Sequence, residues 1–253
     1  MDKLKRFAVD YVTYVVKGSP AFYAWIAFLC LFILCLLYGT YLHAADGLRY
    51  TGLTDQVHDG LYLANFVFLV GIAAGAVTIV FPAYVYHHKG LHAVAVLGEM
   101  LAISAVLMCI LFIISHMGRP DRLWHMLPII GIYNLPNSML AWDTLVLIGY
   151  MLLNFIGGFY FLYRKYTGQP LNKKFYMPLI YISIVWALSI HTVTAFLLNT
   201  MPSRPMWHHS MMPIRFILTA FAAGPSLIIL IFLIVRKRTR LWIENSAIDL
   251  LAT

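Results

Sequence analysis

The chain has 253 residues, of which 62% are apolar, 15% aromatic and only 11% charged. A soluble domain carries roughly 45–50% apolar and about 25% charged residues, so too little polar surface is present here to coat a globule, and a bilayer is the expected solvent. Eighteen basic against ten acidic side chains give a net charge of +8; beside long apolar runs that surplus reports membrane orientation, and no basic–aromatic stripe argues for nucleic acid.

Six apolar segments are long enough to cross a hydrocarbon core of roughly 30 Å at about 1.5 Å per residue. They lie near 21–43, 60–86, 93–115, 139–163, 176–199 and 213–235. The expected fold is therefore an all-α, polytopic membrane bundle. It has a cytoplasmic arm over 1–20, a six-helix membrane domain over 21–235 and a basic cytoplasmic tail over 236–253. The first segment runs unbroken from Ala21 to Tyr41, too long for the core of a cleavable signal peptide, so it stays as a span. The second carries Gly71-x-x-x-Gly75, the spacing at which two helix backbones approach closely. No repeat relates the two halves. Cys30, Cys35 and Cys109 sit inside apolar runs without a C-x-x-C pair, which supports neither a disulfide framework nor an iron–sulfur cluster held by this chain.

Thirteen of the Lys and Arg residues fall on one side. They are Lys3, Lys5, Arg6 and Lys17 in the arm, Lys89, the 164–174 connection, and the Arg236–Arg240 cluster. Arg49, Arg119, Arg122, Arg204 and Arg215 fall on the other. That asymmetry places both termini in the cytoplasm; the expected location is the cell's inner (cytoplasmic) membrane, crossed several times. The outer connections, about 44–59, 116–138 and 200–212, are longer and rich in His, Pro, Trp, Arg and Asn. Loops of that composition carry function.

An ionisable group inside a span costs about 2.5–3.5 kcal/mol, so each requires a reason. Asp143 lies about one turn inside the outer boundary of the fourth span, and His191 roughly two turns below the same boundary on the fifth. His43 and His116 end the first and third spans on that face, where Asp59 and Asn65 enter the second. Neutral imidazoles beside a carboxylate suit coupled proton and electron transfer, because His accepts a proton near neutral pH and Asp can take it or orient the ring. The alternative for each residue is a solvated or cross-helix structural pair. Glu99, about two turns from the inner boundary, reads as part of a proton path or as a packed carboxyl solvated by Ser104 and Thr78.

Haem b would require two deep His ligands on facing helices, and only His191 is clearly inside. His88 and His92, with His87 beside them, have metal-pair spacing on a helix, but next to Lys89 they read as a solvated face. In the outer stretch His116-Met117-Gly118-Arg119-Pro120, Gly and Pro end the third helix. Arg119 can there bind a carboxylate such as Asp143, or the acidic surface of a partner. Ser138 is the expected N-cap of the fourth helix.

At these residues the chain resembles the polysulfide reductase/NrfD family of quinone-interacting membrane subunits. His116-Met117-Gly118-Arg119-Pro120 is similar to that family's H-L-G-R-P turn, and Asn137–Asp143 to its S-P-x-x-W-D helix entry. Ile190–Phe196, Arg204–Trp207, Pro213–Phe216 and Ala222–Pro225 are similar to the DsrP branch, which belongs to the sulfite-reduction-associated Dsr electron-transfer complex.

The resemblance implies an outer-side quinone site, for menaquinone or ubiquinone as substrate, beside a separate ferredoxin-like iron–sulfur subunit, with no haem or metal in this chain. It carries quinol-pocket roles onto His116 and Asp143. Arg119, Asn65, His43 and His191 join them as the expected site, and Glu99 as the inner proton path. Some members have a further Asp after the H-S/T-V segment; Leu197 stands there instead. Family members have eight or ten spans, so the chain is expected to be an incomplete one. A secondary transporter or channel is the rival reading; it predicts inverted repeats and helices broken at mid-membrane, and the sequence shows neither.

Overall fold

The computed structural model describes residues 2–54, 56–57, 60–127, 130–239 and 241–252, so Asp59 and Arg240 lie outside the described residues. The chain forms helices α1 (Asp2–Val16), α2 (Pro20–Asp46), α3 (Leu61–Gly75), α4 (Val77–Tyr84), α5 (Lys89–His116), α6 (Met139–Tyr166), α7 (Lys173–Asn199), α8 (Met212–Arg238) and α9 (Asn245–Ala252), with short 3-10 turns at Gly47–Tyr50 and Pro120–Met126. Among the described residues six helical segments are long and apolar enough to cross a membrane, and α3 with α4 makes one of them. These are the six predicted from sequence.

Helices start where the sequence offers an acceptor to the first free amides. Ser19 accepts from the Phe22 amide (3.3 Å) ahead of Pro20, and the His88 imidazole accepts from Leu91 (3.2 Å). Ser138, the predicted cap, accepts from Ala141 (3.3 Å), and Asn172 from Lys174 (3.1 Å). At the far end of α5, Gly118 adopts φ +67°, a left-handed conformation that a side chain disfavours, and the chain turns out of the helix there. The arm and tail also fold. Phe7 of α1 is buried against Phe159, Tyr163 and Tyr166 of α6, and Ala247 of α9 is buried close to Gly90 of α5. Both termini thus lie at the basic end of the bundle.

The core is built around α3. It packs on α5 and α8, while α6 packs on α7. The Gly71-x-x-x-Gly75 stripe meets Ala220-x-x-x-Gly224 of α8. Gly71 comes within 4.0 Å of the Ala220 Cα, measured from an ideal Cβ, and the same measure puts Gly75 at 2.3 Å from the Gly224 Cα. No side chain fits between the backbones at that crossing. Such contact replaces the hydrophobic drive that is missing between helices in lipid.

The second span differs from expectation. The sequence predicts one segment over 60–86, and the structure interrupts it at Ala76, between α3 and α4. The interruption follows the glycine crossing, and protein groups satisfy the carbonyls there: the Tyr150 hydroxyl donates to Ala73 (3.1 Å) and the Thr78 hydroxyl to Gly75 (2.5 Å). Ala76 keeps helical dihedrals (φ −57°, ψ −26°) and accepts from Val80 at 3.2 Å, so this irregularity is not the unwound mid-membrane break that the transporter reading requires.

Substituting Gly75 with Val should destabilise the bundle by about 1–3 kcal/mol or more through overpacking. Gly39→Leu, at a position with nothing within 4 Å, should leave stability unchanged. Thermal unfolding in detergent compares the two; equal midpoints would remove the crossing from the account.

Candidate functional site

Helices α2, α3, α5, α6 and α7 each bring a polar side chain to the end opposite the basic termini. His43, buried near the end of α2, donates from Nδ1 to the Ser115 carbonyl of α5 at 2.9 Å. That carbonyl is one of the last-turn acceptors a helix leaves free, so His43 closes the end of α5. The bond requires a proton on Nδ1, since the carbonyl can only accept. Tyr62, in the first turn of α3, stands between the two histidines, its ring 6.0 Å from His43 and 6.2 Å from His116.

His116 lies in the wall of a cavity of about 230 Å³ together with Tyr62, Leu63, Phe66, Phe112, Ile113, Met117, Leu140, Leu197, Leu198 and Met201. Its walls are apolar apart from His116 and Tyr62. Drug-sized ligands occupy roughly 300–1,000 Å³, so this space suits a single ring rather than a ring with a long substituent.

Asp143 and Thr194 lie one turn deeper, below Leu140 on α6 and Leu198 on α7. Asp143 is fully buried and accepts from the Thr194 hydroxyl at 2.5 Å. Its second oxygen has no hydrogen-bond partner among the described residues. Leaving such an atom unpaired in a dry interior costs about 1–3 kcal/mol, the kind of cost that marks a functional group. His191, also buried, is one turn deeper again on the same face of α7 as Thr194. His43, His116 and Asp143 lie toward the end opposite the basic termini, whereas His191 lies deeper, beside Ala74, Val77 and Thr78 near the glycine crossing.

Three expectations change. Arg119 does not reach Asp143: its guanidinium holds Asp121, two residues away, through two hydrogen bonds of 3.0 and 2.9 Å, and both side chains are exposed. That bidentate pair pushes the Asp121 carboxyl below the usual carboxylate range. The turn after α5 folds back on itself, which keeps Arg119 outside the bundle. Asn65 is half-buried on α3 and does not line the cavity. Ser104 and Thr78 do not solvate Glu99, because both hydroxyls donate to carbonyls of their own helical segments, Met100 and Gly75.

Glu99 is buried at the other end, where the Tyr176 hydroxyl of α7 donates to its Oε1 at 3.0 Å. The Tyr84 and Tyr176 hydroxyls are 2.8 Å apart. Since Tyr176 spends its one proton on Glu99, Tyr84 is the donor in that pair. Tyr84 in turn lines a cavity of about 330 Å³ with His87, Lys89, His92 and Lys173 at the basic end. The free oxygen of Glu99 faces Gly158, whose lack of a side chain makes room for it. Burial and the nearby Lys165 push the His92 imidazole below its ordinary pKa. His88, part of the metal-pair spacing, serves as the α5 cap instead. Among the described residues no three His, Cys, Asp or Glu side chains gather as a metal site.

Sequence reasoning missed Tyr62, Thr194, Tyr84 and Tyr176. Thr194 follows His191 by three residues, a same-face spacing on a helix, and that signal was available.

The fold and the cavity define a polytopic helical membrane protein with a histidine-bearing apolar pocket away from its basic end. The chain belongs to the polysulphide reductase, NrfD family, which residues 49–252 match. That match covers every expected site residue except His43. Over 76% of its length the chain is 24% identical to a subunit of the selenate reductase of Mesobacillus selenatarsenatis, covering 52% of that protein. Over 85% it is 22% identical to a putative dimethyl sulfoxide reductase membrane subunit of Halobacterium salinarum, covering 52%. Over 70% it is 22% identical to the Hdr-like menaquinol oxidoreductase integral membrane subunit of Archaeoglobus fulgidus, covering 42%. The chain spans about half the length, or less, of these relatives.

The Asp143–Thr194 bond predicts strong coupling between the two sites. Thr194→Val should cost about 1–3 kcal/mol, and much less in an Asp143→Leu background where no acceptor needs the donor. Thermal unfolding of the four variants measures it, and equal costs in both backgrounds would contradict the pairing.

Proposed function

We propose that this chain is the integral membrane subunit of a respiratory electron-transfer complex of the inner membrane, exchanging electrons between a membrane quinone and an iron–sulfur partner. The observation that carries the reading is the placement of His116 in an apolar, ring-sized cavity directly above the buried Asp143–Thr194 pair. Family membership supports it, as do relatives whose names are those of reductase subunits and a menaquinol oxidoreductase. Menaquinone or ubiquinone is the substrate, a ferredoxin-like iron–sulfur subunit sits on the outer face, and the complex serves sulfite or polysulfide metabolism as in the DsrP branch.

Oxidation of a quinol releases two electrons and two protons. The electrons leave to the partner. His116 in the cavity wall takes one proton; the open oxygen of Asp143 takes the second, with Thr194 orienting the carboxylate and His191 passing the charge onward. Quinone reduction uses the same groups in reverse. His43 and Tyr62 hold the imidazole wall in place. Arg119, held by Asp121 at the exposed turn, belongs to the partner-facing surface, and Asn65 stands at the cavity's flank. Glu99, Tyr176 and Tyr84 form the inner proton path, since each hydroxyl can pass a proton along the hydrogen bond it already makes.

In the assembled complex, Asp143→Asn should abolish quinol-linked electron transfer while assembly survives. Glu99→Gln should slow turnover and leave quinol binding intact. Quinol oxidation in isolated membranes, with subunit levels measured in parallel, distinguishes these outcomes. Normal turnover of Asp143→Asn would remove that residue from the mechanism.

A further inference from the structure

From their crossing at Gly75 and Gly224, α3 and α8 both run toward the loop-rich end, and a wedge opens between them. It contains a cavity of about 360 Å³, separate from the ring-sized one, with Val67 on α3, Met212 and Phe216 on α8, and Trp207 in the loop between α7 and α8; Arg215 on the first turn of α8 puts one charged side chain at its loop end. Two residues, Leu63 and Leu198, line both cavities. The His116 cavity and the wedge are therefore adjoining chambers divided by two flexible aliphatic side chains. On the other side, Ala64 and Thr219 are exposed, so the wedge is open on the flank between α3 and α8.

We propose that the α3/α8 wedge is the channel for the isoprenoid tail of the quinone whose ring occupies the His116 cavity. The inference rests on the quinone reading and extends it from the ring to the whole lipid. A cavity of about 230 Å³ has room for the ring and not for a long tail, and the adjoining wedge is a neighbouring space that can take it. The wall at Leu63 and Leu198 is apolar and leads to that space. Met206, Met212 and Trp207 give that space soft, polarisable and aromatic sides, which adapt to an irregular branched chain. The glycine crossing closes the wedge from below, so the tail enters laterally and lies near the outer surface. In this arrangement the tail supplies much of the affinity by apolar burial, and the ring supplies the chemistry.

The test is equilibrium binding of two radiolabelled quinones to the full chain in nanodiscs: menadione, which has the ring without a tail, and a short-tailed menaquinone. Ala64→Trp fills the wedge from α3, and Thr219→Phe fills it from α8; both positions are exposed, so the fold should tolerate them. Each variant should weaken the tailed quinone about tenfold or more and leave menadione within about twofold. Unchanged affinity for the tailed quinone in both variants overturns the proposal. So does release of a co-purified phospholipid by the variants without loss of quinone affinity, which would assign the wedge to an acyl chain. A wild-type chain that binds neither quinone overturns the quinone reading itself, a result distinct from the loss of tail discrimination alone.

Discussion

Two glycine backbones in contact set the shape of this bundle. Gly75 and Gly224 meet with no space for a side chain between them, so α3 and α8 are pinned at mid-span. In lipid there is no hydrophobic drive to hold helices together, and close backbone packing takes its place. With α3 fixed on one side by α8 and on another by α5, its first turns are fixed as well. Those turns carry Tyr62, Leu63 and Phe66, one wall of the His116 cavity. The pinning at mid-span and the openings at the loop-rich end are one geometric fact.

The polar groups follow a second constraint. Helix α6 buries one face along its length, and Asp143, Tyr150, Asn154, Gly157 and Gly158 lie along it. Tyr150 and Asn154 each spend a donor on a backbone carbonyl, and the glycines leave room for Glu99. Polar atoms in a dry interior are normally paired. Two carboxylate oxygens, one on Asp143 and one on Glu99, have no such partner among the described residues. They sit at opposite ends of the same column, one below the proposed ring site and one above the tyrosine pair that leads to the basic end.

Much of this was legible in the sequence, for physical reasons. Span number follows from apolar run length, and the Gly71-x-x-x-Gly75 spacing announced a close crossing, though only the structure supplied Ala220 and Gly224 as the partner. Counting turns placed His43, His116 and Asp143 toward one end of the bundle, while His191 lies deeper, at the level of the glycine crossing. Contacts set by side-chain direction were not legible. Arg119 chose the nearer carboxylate, Asp121, because the turn after α5 directs it outward. Glu99 chose a tyrosine on α7 over the Ser104 hydroxyl of its own helix and the Thr78 hydroxyl of α4. The interruption at Ala76 was hidden because hydropathy does not change across it.

The central claim is that a quinone ring occupies the cavity between Tyr62 and His116. Photoaffinity labelling of membranes with an azido-quinone, mapped by mass spectrometry, tests it most directly. The account predicts labels on the Tyr62–Phe66 and Phe112–Met117 segments, lost in the presence of excess unlabelled quinone. Labels confined to the basic end, around Tyr84 and His92, or labels that excess quinone does not displace, would contradict it.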